Sequence, residues 1–195
     1  MTELWRLPAT KLAHVIRTRE VSAQEAAEDT LRRLDAVNPR INAIVAHRPE
    51  LVLEQADRID RCMARGEDPG PLAGVPVTVK INTDQAGFAT TNGTRLQKDL
   101  VAKTNSLAVD NLMRAGAVLL GRSNAPAFAL RWFTSNLIHR HTRNPRDPSL
   151  TPGGSTGGGG AAGADAVTVA GAGAVAGSGR RGRRDAMHGR HDEQR

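Results

Sequence analysis

Hydrophobic positions recur along the first two-thirds of the chain with two alternating periods. Over 9–19 (ATKLAHVIRTR), Leu12, Val15 and Ile16 share one face at helical spacing, which predicts a short amphipathic helix. Ser22 and Glu25 in SAQE have capping-box spacing and open a second helix running to about Val37. The Asn38–Pro39 step is expected to end it, because proline disfavours helix in the residue before it. INAIVA at 41–46 predicts a short strand, and 49–65 a helix of mixed charge with Pro49 in its first turn. VPVTVKI at 75–81 is an almost unbroken β-branched run, the pattern of a strand buried on both faces. Residues 105–116 predict a helix that feeds a second buried strand, AVLLG at 117–121. This alternation predicts an α/β fold with a largely parallel sheet.

The pattern breaks after Leu150. From Thr151 to Arg195 there is no Leu, Ile, Phe or Trp, and 13 of the 20 glycines fall there. Ala and Gly bury little apolar surface, while each ordered residue costs about 1–2 kcal/mol of backbone entropy. Such a stretch cannot build a core of its own. Residues 1–158 are therefore expected to form the folded part, and 159–195 a disordered Gly/Ala/Arg-rich tail.

Charge changes this picture only locally. Residues 180–195 hold six arginines against Asp185, Asp192 and Glu193, a local +3 of the net +7, which leaves +4 on the rest. The body has no nucleic-acid footprint. A Gly/Arg-tailed protein that binds phosphates nonspecifically through 180–195 is the competing non-enzymatic class. The single cysteine, Cys62, excludes an intrachain disulfide and reads as a helix thiol in a reducing compartment. With no signal peptide and no apolar run of spanning length, a cytoplasmic protein without a membrane partner is expected.

Candidate chemistry centres on TPGGSTGGGG at 151–160, with six glycines around Ser155. A phosphate-cradling loop needs Lys followed by Ser or Thr after its last glycine, and here Ala161 and Ala162 follow Gly160. Gly171, Gly173 and Ala176 spell a dinucleotide-type G-x-G-x-x-A, but GSGRRGRRD stands where a helix and a distal acid are required. His139 and His141 lack a third partner at metal-ligand spacing and read as loop residues. Upstream, Lys80 ends the apolar strand at 75–81. A lysine there either snorkels into solvent or is buried and loses its charge, becoming a base. The strand alone leaves both open.

PLAGVPVTVKIN, GRSNAPAFALRWFT and TRNPRDPSLTPGGSTGG follow one another at 71–82, 121–134 and 142–158. In order and spacing they resemble the amidase signature family over about residues 7–158. The resemblance implies part of a mixed central sheet flanked by helices. It also implies hydrolysis of a small-molecule amide through a Ser–cis-Ser–Lys triad that needs no metal and no organic cofactor. By position, Lys80 then corresponds to the base and Ser155 to the bridging serine, with Gly153, Gly154 and Gly157 around it.

The family's nucleophile lies about two dozen residues further, in a D-x-G-G-S loop that also supplies oxyanion donors. Here the region reads VAGSGRRG, where Ser178 is the nearby serine, one position out of register and without the acidic residue. With four lysines against 23 arginines the gene reads as G+C-rich, and the tail has the composition of a shifted reading frame. A frameshift near Thr156–Gly160 with early termination is therefore expected. The result would be a remnant with little activity and a tendency to aggregate. Translation of the two other frames should reveal a D-x-G-G-S stretch within about thirty codons; its absence would make the tail a native extension.

Overall fold

The computed structural model describes residues 3–164 and 170–172. Helices α1 (Ala9–Arg17) and α2 (Ala23–Ile41) lead to strand β1 (Ile44–Ala46) and helix α3 (Pro49–Ala64). Strand β2 (Pro76–Lys80), helix α4 (Leu107–Arg114) and strand β3 (Val118–Ser123) follow. A short hairpin, β4 (Ser135–Asn136) and β5 (Arg140–His141), then precedes helix α5 (Gly157–Ala164) and strand β6 (Ala170–Ala172). The main sheet has the order β1-β3-β2-β6. β2 runs parallel to both β3 and β6, and β1 is antiparallel to β3. The sheet is thus mixed, and the fold is α/β. No helix among the described residues is long and apolar enough to cross a membrane.

Both strands read as buried, β2 and β3, are buried throughout, as their unbroken apolar patterns predict. Alternation divides their side chains between two clusters. Val118 and Leu120 join Leu12 and Ile16 of α1, Leu34 and Ile41 of α2, and Ala161 and Ala162 of α5. Ala117 and Leu119 join Val75, Val77, Val79 and Val109 of α4. β2 lies inside the sheet with a partner on each side, so both of its edges are covered. Two short pieces of the Gly/Ala-rich stretch provide this cover: α5 packs its alanines into the first cluster, and β6 pairs with Val77–Val79. They have no core of their own and dock on one made by earlier residues.

Side chains close the ends that backbone pairing leaves open. Ser22 Oγ accepts from the Glu25 amide at 3.0 Å, and Glu25 Oε2 accepts from the Ser22 amide at 2.8 Å. This reciprocal cap holds the Glu25 carboxyl below its usual range. The Asp60 carboxylate of α3 accepts from the Ala23 and Gln24 amides at 2.8 and 3.0 Å, tying α3 to the start of α2. Gln55 of α3 accepts from the Leu119 amide at 3.0 Å and so covers an open stretch of the β3 edge.

One boundary departs from expectation. α2 continues through Pro39 to Ile41 and ends at Asn42 in the left-handed region. Asn38 is the reason: its Oδ1 accepts from the Ala43 and Ile44 amides, each at 2.9 Å, and its Nδ2 donates to the Ile44 carbonyl at 2.8 Å. These bonds, with Ile41 fully buried, outweigh the proline penalty. They also shorten β1 to Ile44–Ala46.

The segment 127–137 has the opposite character, leaving Leu130 81% and Trp132 90% exposed. Burial and not size should therefore govern stability. Leu34→Ala is expected to lower unfolding stability by about 2–5 kcal/mol. Trp132→Ala, which removes a larger side chain, should stay within about 0.5 kcal/mol. Urea unfolding of both variants checks the contrast.

Candidate active site

Lys80 is the last residue of β2 and pairs with Ser123 across the parallel ladder. Its backbone is held on both flanks, since the Ile81 amide donates to the Ser123 carbonyl at 3.1 Å and the Thr83 amide to the Lys80 carbonyl at 3.0 Å. Strand alternation sends its side chain to the face shared with Thr78 and away from Val77 and Val79. That face is covered by the loop leading into α5. Lys80 is 6% exposed, and burial pulls its amine below the ordinary lysine range. The snorkelling alternative does not apply.

The Lys80 amine meets two hydroxyls. Nζ donates to Ser155 Oγ at 2.9 Å and to Thr156 Oγ1 at 3.2 Å. Thr156 was not singled out by the sequence pattern; its adjacency to Ser155 was the only signal available. Gly153 sits at φ +85°, and the Gly154–Ser155 peptide bond is cis. The Gly160 amide donates to the Thr156 carbonyl at 2.9 Å, so the loop passes directly into the first turn of α5.

The glycines of this loop answer to sterics more than to flexibility. A Cβ on Gly154 would lie 2.7 Å from the Phe133 amide nitrogen and 2.8 Å from the Arg131 carbonyl oxygen. On Gly157 it would lie 2.3 Å from Thr134 Oγ1, and on Gly158 2.4 Å from the Asn124 carbonyl oxygen. Gly153 and Gly160, in contrast, face open space. The backbone at 154, 157 and 158 is pressed against two neighbouring segments, and only glycine permits that approach.

Those segments are locked in turn by amides. Asn124 is fully buried; its Nδ2 donates to Thr142 Oγ1 at 3.0 Å, and its Oδ1 accepts from Asn136 Nδ2 at 2.8 Å. Asn42 Nδ2 donates to the carbonyls of His139 and His141 at 2.6 and 2.9 Å. The two histidines thus lie in and beside the β4–β5 hairpin, where burial pulls His139 below the usual imidazole range. Cys62 lies on α3, where loss of solvation, with Glu67 nearby, pushes its thiol up. Ser178 lies outside the described residues, so the structure brings together Lys80 and Ser155 without reporting on it. An amine below its ordinary pKa, hydrogen-bonded to a hydroxyl, is suited to accepting that hydroxyl's proton.

Known proteins share both the sequence pattern and the fold. The family model described as Amidase matches residues 25–181. The chain is 41% identical over 176 residues to an indoleacetamide hydrolase of Bradyrhizobium diazoefficiens, covering 90% of this chain and 34% of that protein. It is 40% identical over 177 residues to a subunit of the glutamyl-tRNA(Gln) amidotransferase of Carboxydothermus hydrogenoformans, covering 91% and 35%. The structure is similar to that of a bacterial aryl acylamidase of the amidase signature enzymes, with TM-score 0.80 and 29% identity over 83% of this chain and 34% of that one. The chain thus spans about a third of the length of these relatives. With the family model matched over most of its length and the fold shared at that similarity, the chain belongs to the amidase signature family.

Proposed function

We propose that this chain carries the proton-transfer half of an amide-hydrolysing centre, with Lys80 as base, Ser155 as bridging serine and Ser178 as the attacking serine. The observation that carries this reading is the part-buried 2.9 Å contact between Lys80 Nζ and Ser155 Oγ. Neutral Lys80 accepts the Ser155 proton as Ser155 takes that of the attacking serine, whose oxygen adds to the substrate carbonyl. The nitrogen leaves after receiving the proton, and water then cleaves the acyl-serine ester. Thr156 supplies a second hydroxyl that holds the Lys80 amine in line. The relatives' names support a small-molecule amide as substrate, and no step calls for a metal or an organic cofactor.

The chain as it stands turns amides over slowly or not at all. Ser178 follows Ala176 and Gly177, in place of a loop whose amides would stabilise the developing oxyanion. Without those donors a nucleophile has little transition-state stabilisation.

Two measurements test this reading. In lysine-labelled protein the four Cε signals, assigned by single Lys→Arg substitutions, are followed by NMR, and that of Lys80 is expected to titrate below the ordinary lysine value. A Lys80 signal titrating at that value would remove the base. Hydrolysis of indole-3-acetamide and other small primary amides should be marginal, and a serine-directed fluorophosphonate should label far fewer than one serine per chain. Because the neutral amine is the active form, any labelling should rise with pH and level off below the ordinary lysine range. Lys80→Ala should reduce it by several orders of magnitude. Stoichiometric labelling of Ser178 would overturn the low turnover, and its persistence in Lys80→Ala would overturn the base assignment.

A further inference from the structure

We infer that Thr134 is the positioning residue of the Ser155 loop, a role that rests on the reading of Lys80 and Ser155 given above. Thr134 belongs to the segment before the hairpin and is 1% exposed. Its Oγ1 donates to the Gly153 carbonyl at 2.9 Å, on the N-terminal side of Ser155. The same oxygen abuts Gly157 on the C-terminal side, where even a methyl group would come within 2.3 Å of it. One hydroxyl therefore grips both flanks of the serine.

The grip is anchored to the body of the fold. The Thr142 amide donates to the Thr134 carbonyl at 3.0 Å. Thr142 Oγ1 donates to the Asn42 carbonyl at 2.7 Å and accepts from Asn124 Nδ2 at 3.0 Å. The end of α2 and the end of β3 thus converge on Thr142, whose amide in turn holds the Thr134 carbonyl. Gly153 sits in the left-handed region; its amide donates to Thr151 Oγ1 at 3.1 Å, and the Thr134 hydroxyl holds its carbonyl. Releasing that carbonyl lets Ser155 Oγ drift from Lys80 Nζ and lets water reach the amine.

The test reads the Lys80 Cε titration in the full chain, next to its urea midpoint. Thr134→Val and Thr134→Ala remove the hydroxyl, the alanine without pressing a methyl on the Gly153 oxygen. Both are expected to raise the Lys80 midpoint by about half a pH unit or more, a factor of about 3 in its protonation equilibrium. Thr134→Ser, which keeps the hydroxyl, should leave it at the wild-type value. A lowered urea midpoint with the Lys80 titration unmoved in Thr134→Ala would make Thr134 a structural residue only and overturn the inference. So would a Thr134→Ser that moves Lys80 as far as Thr134→Ala does. Ser155→Ala separates this from the underlying reading: if it leaves the Lys80 titration unchanged, the Lys80–Ser155 pairing itself fails. If Ser155→Ala moves it and Thr134→Ala does not, only the positioning role fails.

Discussion

The withdrawal of one lysine from water organises the rest of this molecule. A strand-terminal ammonium ordinarily extends into solvent, where its charge is stable. Here Lys80 ends a strand flanked on both sides, and a loop lies across its amine, so the charged form loses hydration and the pKa falls. Such an amine needs polar partners within reach, and Ser155 and Thr156 provide two hydroxyls. Holding those hydroxyls in place requires the following helix to start immediately after them. It also requires the preceding loop to lie flat against its neighbours.

That requirement explains the glycine run. A flexible glycine linker would show open space around most of its Cα atoms, and Gly153 and Gly160 do show it. Gly154, Gly157 and Gly158 instead sit where any Cβ would enter the van der Waals envelope of residues 131–134 or of Asn124. These residues bring three backbones together at one point, the end of β3, the approach to the hairpin and the start of α5. Core packing of this density transmits small volume changes directly to the neighbours. An added methyl at 157 or 158 therefore acts on the site as much as on stability.

Much of the fold was legible in the residues because local and tertiary preferences coincide there. The amphipathic spacing of Leu12, Val15 and Ile16, the Ser22–Glu25 cap and the two buried apolar strands each appear close to the expected positions. Where the two preferences conflict, the tertiary contacts prevail. Pro39 does not end α2, because Asn38 clasps the backbone of Ala43 and Ile44 and Ile41 is drawn into the core. β4 and β5 were not legible because two-residue strands carry no periodicity; asparagine side chains, with their own hydrogen bonds, hold that hairpin.

The chain's sequence by itself determined the order of helices and strands, the family and the candidacy of Lys80 and Ser155, because periodicity and motif spacing are properties of the linear chain. It left open whether Lys80 is wet or buried, since a lysine at a strand end is compatible with either environment. Only the tertiary structure decided that, by laying α5 and its leading loop over the Lys80 face of β2. It alone also distinguished the glycines needed for close approach from those in open space. Thr134 and Asn124 belong to the same class. Nothing in a lone threonine or asparagine marks it as a support, and their importance arises from segments far apart in sequence that packing brings within hydrogen-bonding distance.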